Sequence, residues 1–278
     1  WPSAMMSTTP PMTERTTTMS NALENARALY YTGIRDGRPR EAAERYTGDR
    51  YTQHSTGVKD GREGFIEFFE TFIERNPERD IEIVRSFQDG PYVFMHARQS
   101  LNGGESRWIT MDILEADEQD RMIEHWDVIA EWVDETASGH SQTDGPTVPA
   151  DLAKTESNKA LVAAFIQDVF TEGKLDRVTD YVSSETYIQH NPLVADGLEG
   201  LAGFLESLAE SGQSMRYLET RLLIGSGDLV AALSRMELGG TEMAVIDLFR
   251  VADGRLVEHW DVLEPVPPAD ELVNSGKF

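Results

Sequence analysis

The chain has 278 residues, 40% of them apolar and none of them cysteine, and its 49 acidic and 25 basic side chains leave a formal net charge of -24. Without cysteine there are no disulfides, thiolate metal sites or cysteine nucleophiles. A surface this acidic repels nucleic acid and anionic membranes, which are held through Lys and Arg clusters. No run reaches the roughly 20 apolar residues of a membrane helix, so the chain is expected to be soluble and cytoplasmic.

Trp1–Met19, rich in Ser, Thr, Pro and Met, lacks the apolar core of a signal peptide and reads as a disordered tail. A first domain is expected over 20–133. It holds the segment Tyr51-Thr-Gln53-His54 and an Asp60-Gly-Arg-Glu63 sequence that reads as a capping box. Turn signals follow at Gln88–Gly90, Asn102–Gly104 and Asp117–Asp120. The polar stretch 134–154, with Gly and Pro but no apolar period, reads as a linker.

A second domain is expected over 155–266. Ser157 reads as an N-cap before a helix whose apolar face runs from Leu161 to Phe170, closed by Gly173. A short helix over Leu175–Tyr181, an extended piece over Thr186–Gln189 and a helix from Leu198 to Ser211 follow. Four strand-like runs, 216–224, 228–237, 242–252 and 255–264, are separated by Gly225–Gly227, Gly239-Gly240 and Asp253-Gly254. Residues 267–278 read as a C-terminal tail.

The two halves repeat. YTQHSTGVKDGREGFIEF at 51–68 aligns with YIQHNPLVADGLEGLAGF at 187–204 at an offset of 136, since 187 minus 51 and 204 minus 68 agree. IEHWDVI at 123–129 aligns with VEHWDVL at 257–263 at an offset of 134, and Asp112 aligns with Asp247. The same segments in the same order at nearly constant spacing identify a tandem duplication. Helices followed by a strand meander make each half an α+β domain, with helices packed on a curved, mainly antiparallel sheet. Such a sheet wraps into a cone-shaped barrel with one apolar pocket between sheet and helices.

The YIQHNP segment, the Asp-Gly-x-x-Gly helix after it and the terminal EHWDV strand resemble the SnoaL-like polyketide cyclases of the nuclear-transport-factor-2-like superfamily. The likeness spans about 20–133 and 155–266. It implies that Asp127 and Asp261 are the acid/base residues and that Asp112 and Asp247 line the same pocket. The cyclases often carry a histidine where this chain has Asp112 and Asp247. The superfamily also contains isomerases, epoxide hydrolases and non-enzymatic binding domains, so fold alone does not assign function.

Asp112 and Asp247 sit in strands that are apolar on both faces, where burial pushes a carboxyl toward neutral titration. His259 and Asp261, like His125 and Asp127, are two apart on a strand and share a face. The tryptophan between them points the other way. His54 and His190 follow short extended pieces and are expected to line the pockets. Tyr51, Tyr187, Gln53, Gln189, Trp126 and Trp260 complete the set as candidate substrate contacts, with ordinary core packing the alternative for the tyrosines and tryptophans.

No HExxH-type spacing, phosphate loop, dinucleotide fingerprint or GxSxG elbow occurs, so neither metal nor cofactor is expected. The expectation is a cofactor-independent acid/base enzyme acting on a small apolar carbonyl compound, as an aldol-type cyclase or isomerase. A non-catalytic ligand-binding or association module is the rival. The two copies are expected to pair within the chain as a pseudo-dimer, with association of whole chains also open. Ser55-Thr56 stands where the second copy has Asn191-Pro192, so the two pockets differ, which leaves open that one binds a ligand while the other only supports the assembly.

Overall fold

The structure, a computed structural model, describes residues 20–278, and the tail expected over Trp1–Met19 lies outside them. The first half contains α1 (Ala22–Tyr30), α2 (Pro39–Tyr46), β1 (Thr47–Gln53), α3 (Gly61–Arg75), β2 (Arg79–Asp89), β3 (Tyr92–Leu101), β4 (Ser106–Ala116) and β5 (Met122–Glu131). The second contains α4 (Thr155–Phe165), α5 (Val178–Tyr181), β6 (Ile188–Gln189), α6 (Gly197–Glu210), β7 (Met215–Ser226), β8 (Leu229–Leu238), β9 (Thr241–Ala252) and β10 (Arg255–Pro265). Each half forms one five-stranded sheet, ordered β1-β5-β4-β3-β2 and β6-β10-β9-β8-β7. The first strand joins the last in parallel, and the remaining pairs are antiparallel. The fold is a tandem α+β arrangement.

α1 and α4 each run on into a π-helical turn, Tyr31–Arg35 and Ile166–Thr171. Two local expectations are corrected. The second domain's first helix begins before Ser157, whose hydroxyl lies inside the first turn and donates to the Lys154 carbonyl. Asp60 and Asp196 precede their helices but cap neither. Their carboxylates turn back to accept the backbone N–H of Gln53 (2.7 Å) and Gln189 (2.8 Å). Each aspartate therefore ties a helix start to the strand that carries the Tyr-x-Gln-His segment.

The apolar character of both strand faces has a direct cause. On β4, Leu114 packs toward the helices of its own domain, whereas Ile109, Met111 and Ile113 point away. On β9, Val245 and Phe249 face inward, whereas Ala244, Ile246 and Leu248 point away. The outward sets of the two sheets meet in one buried cluster, with Phe87, Phe94, Trp126 and Val128 from one side and Leu229, Leu233, Trp260 and Val262 from the other. The two domains thus pack sheet against sheet. Each sheet is covered by helices on one face and by its twin on the other.

The stretch expected as a linker is held in place. Arg85, itself buried, donates to the carbonyls of Thr143 (2.8 Å), Asp144 (2.8 Å) and Pro146 (3.0 Å). Its guanidinium stacks over Trp260 at 4.6 Å, and Trp260 Nε1 donates to Asp144 O at 2.9 Å. Gly145, at φ +96°, crosses so close that a Cβ would come within 2.6 Å of the Trp260 ring. Only glycine fits both that conformation and that approach.

Candidate active site

Period-two alternation along β4 and β5 aims Thr110, Asp112, His125 and Asp127 at the hollow between the first sheet and its helices. A cavity of about 310 Å³ opens there. Its walls are apolar and largely aromatic, from Tyr30, Phe65, Phe68, Phe69 and Phe72. Trp108 and Ile129, both partly exposed, stand on the sheet side. Tyr51, Gln53 and Ser55 join the lining from β1 and the loop after it.

Asp112 and Asp127 are direct neighbours across the β4–β5 ladder. His125 Nε2 lies 3.0 Å from Asp112 Oδ1, and its Nδ1 lies 3.0 Å from Gln53 Oε1. Both ring nitrogens therefore face acceptors, the arrangement an imidazolium satisfies. A second chain ends on the other oxygen of the same carboxylate. Gln99 donates to the Tyr30 hydroxyl (2.8 Å), which lies 3.1 Å from the Thr110 hydroxyl, and Thr110 donates to Asp112 Oδ2 (2.8 Å). Burial pushes Asp112 above the ordinary carboxylate range. Burial alone would lower His125, but the Asp112 hydrogen bond and the charges of Asp127 and Asp112 outweigh it and hold the ring above its usual value. Both members of the Asp112–His125 pair therefore hold a proton more tightly than the free side chains do.

Asp127 differs. It accepts the Ser55 hydroxyl at 2.6 Å, and Lys277 Nζ lies 3.2 Å from its Oδ1. Burial would raise this carboxyl. Lys277, then His125 and Ser55, more than offset that and hold it below the ordinary range. The two facing carboxyls are thus pushed in opposite directions, Asp112 up and Asp127 down.

The second domain repeats the relay with larger side chains around it. His259 Nδ1 lies 3.0 Å from Gln189 Oε1 and its Nε2 lies 3.0 Å from Asp247 Oδ1. Tyr217, at the register position of Ile81, donates to both oxygens of Asp247 (3.2 and 3.0 Å). Phe249, at the position of Leu114, stacks on the His259 ring at 4.7 Å. Phe170 stacks on Tyr217 at 4.8 Å, and Tyr187 is core beside them. Asp261 is bonded only through Asn191 among side-chain donors in the described residues, and burial pushes it up to about 6.

Four expected contacts lie elsewhere. Trp126 and Trp260 face the interdomain core, because their neighbours His125, Asp127, His259 and Asp261 take the inward side. His54 and His190 do not line the pockets. They stack on those tryptophans, at 5.0 and 4.7 Å, with Nε2 on Glu124 and Glu258 (2.9 Å each). Their Nδ1 atoms meet backbone carbonyls of Gly276 and Ser141. These histidines fasten the segments that cross between domains.

Asp112, His125 and Asp127, and likewise Asp247, His259 and Asp261, bring one potential ligand atom each within 4.8 Å of the others. In both sets the histidine Nε2 is already directed at the carboxylate of its neighbouring strand. A cation at Asp127 would also compete with the Lys277 ammonium. The donor set is better satisfied by its own hydrogen bonds than by a metal.

Sequence reading missed Lys277, Thr110, Tyr30 and Gln99, and singled out Ser55 only as a difference between the two pockets. Thr110 shares the Asp112 face by strand periodicity and was legible there. Lys277 had no local signal, lying 150 residues from its partner.

A family model described as a SnoaL-like domain matches the chain twice, over residues 27–125 and 162–259. Among solved structures, a candidate polyketide cyclase from Bacillus cereus is 16% identical over 39% of this chain and 74% of that one, with a TM-score of 0.35. An epoxide hydrolase of LEH-like type from M. tuberculosis is 17% identical over 40% and 83%, at 0.33. A candidate ketosteroid isomerase from Kribbella flavida is 20% identical over 44% and 90%, at 0.34. No curated protein matches the sequence.

Proposed function

The chain belongs to the SnoaL-like domain family, and on that premise we propose that it is a cofactor-independent acid/base enzyme whose working site is in the first domain. Taking 20–133 and 155–266 as the two domains, the first performs the chemistry and the second, paired to it as an intramolecular pseudo-dimer, supports it. The observation that carries this reading is the juxtaposition of Asp127, Asp112 and His125 at the floor of an otherwise apolar cavity. A carbonyl compound with little charge of its own fits those walls.

In the proposed reaction Asp127 removes a proton from the carbon between two carbonyl groups. An ionised carboxylate held below its ordinary range is a weak base, so it suits a carbon acid already activated on both sides. The electron pair moves into the adjacent carbonyl, and the enolate oxygen is met by the Tyr51 hydroxyl and by the proton held on the Asp112–His125 pair. Attack of the enolate carbon on a second carbonyl closes a ring, and the alkoxide recovers the proton. Return of the proton to a different carbon gives an isomerisation instead.

The test is α-proton exchange into deuterated water for a hydrophobic 1,3-diketone, followed by NMR. Asp127→Asn is expected to slow it about 10²–10⁴-fold. Exchange undiminished in that variant would remove Asp127 as base. The packed second pocket favours a non-catalytic role for that half, as an association module.

A further inference from the structure

Each final strand is followed by an arm that crosses to the opposite domain. After β5, the Ala137 N–H donates to Pro192 O (2.9 Å), the Ser138 hydroxyl donates to Gln189 O (2.6 Å), and Ser141 O meets His190. After β10, Asn274 donates to the carbonyls of Ser55 and Val58 (2.7 Å each), Ser275 donates to Asp60 (2.8 Å), and Gly276 O meets His54. Ser141 and Gly276 take equivalent places on His190 and His54, so Gln142 and Lys277 follow at equivalent positions, 135 residues apart (277 minus 142). The symmetry breaks at that last pair. The Gln142 side chain accepts the Val133 N–H of its own arm, whereas Lys277 enters the first domain.

Lys277 is 4% exposed. Its Nζ lies 3.2 Å from Asp127 Oδ1 and 3.4 Å from Thr56 Oγ1, and it also pairs with Glu264 of β10. Glu264 in turn accepts the Ile129 N–H (2.7 Å) and the Thr56 hydroxyl (2.7 Å) of the first domain. An ammonium buried this deeply is tolerable only because two carboxylates and a hydroxyl surround it.

Resting on the functional reading above, we propose that Lys277 is a positioning residue of the first-domain site, and that the second domain completes that site by delivering this cation against the Asp127 carboxylate. The charged and titratable groups around Asp127 are His125 on β5, Asp112 on β4, Tyr51 on β1, Tyr30 on α1, Glu264 on β10 and Lys277 on the arm. Lys277 is the one among them that the other half supplies as a cation. It offsets Asp127 and Glu264 together, and its arm pins the loop from which Ser55 reaches Asp127. The fusion of two domains in one chain then has a chemical consequence, since neither half contains the whole site.

The test uses the full chain with ¹³C-carboxyl-labelled aspartate, the Asp127 signal being assigned by its loss in Asp127→Asn. In Lys277→Met the Asp127 titration midpoint is expected to climb by about one to three pH units. Lys277→Arg is expected to bring it back, and the Asp261 midpoint is expected to stay in place in both. The same variants, read by diketone exchange, should move the acid limb of the rate profile with Asp127. A shifted midpoint in a protein that exchanges no diketone would uphold the cation's placement and discard the catalytic reading. An Asp127 midpoint unmoved in a folded Lys277→Met protein would overturn the inference. If that variant fails to fold, Lys277→Gln gives the same readout with a polar side chain in the buried position.

Discussion

Asn191 donates its side-chain amide to both oxygens of Asp261, at 2.9 and 2.7 Å, in the place where Ser55 and Lys277 meet Asp127. The two aspartates occupy equivalent positions at the ends of equivalent strands. A neutral amide leaves one carboxyl to titrate near 6, while a cation holds the other below its ordinary range. Duplication copied the carboxylates, and the neighbouring segments gave them different chemistry.

The asymmetry makes a direct catalytic expectation. Asp127→Asn should abolish most exchange of a diketone, whereas Asp261→Asn should leave kcat within about threefold, because Tyr217 and Phe249 fill the space a substrate would need. Steady-state kinetics of the two single variants decide it. Equal losses would mean that both halves turn over substrate.

Asp261 should also leave a mark on stability. Its folded pKa of about 6 lies above the unfolded value for an aspartate, about 3.9. The folded state therefore binds the proton more tightly. The stabilisation is complete below about pH 4 and is lost as pH rises through 6. Asp261→Asn, which cannot ionise and keeps an acceptor for Asn191, should be more stable than the parent at pH 7 by about 1–3 kcal/mol. That gap should close at pH 4. Urea unfolding at pH 4, 5, 6 and 7 gives the comparison.

The larger side chain of the second domain can be copied into the first. Leu114→Phe places a ring where Phe249 stacks on its histidine in the second domain. A volume increase into an existing cavity avoids the overpacking cost that a filled core would incur. The variant should retain its melting temperature and bind a fluorescent naphthyl ketone at least tenfold more weakly. Unchanged affinity would place the ligand outside this cavity.

Arg85 offers a test of the tethered linker. Its removal leaves the carbonyls of Thr143, Asp144 and Pro146 without their side-chain donor and uncovers one face of Trp260. Arg85→Ala should cost on the order of 3 kcal/mol in urea unfolding. Protease cleavage within 136–146 should become faster under native conditions. A cleavage rate equal to the parent's would show that the segment is held by other contacts.

Much of this protein was legible before folding was considered. Period-two alternation and glycine turns located the strands, and the repeated YxQH and EHWD segments disclosed two copies of one α+β domain. That His125 and Asp127 share a face followed from strand geometry, and that this face is the inward one came with the family resemblance. The sequence could not distinguish which of two apolar faces of β4 and β9 met helices and which met the other sheet. For the same reason it kept Trp126 and Trp260 as candidate contacts although alternation turned them away from His125 and His259, and it put His54 and His190 in the pockets, when the tryptophans and the rings stacked on them belong to the interdomain face. It could not place Lys277 either. Local patterns follow from steric repeat along a strand, which composition records. Which pocket stays open, and which carboxylate receives a buried cation, depend on contacts between residues more than a hundred positions apart, and only the packed chain brings those together.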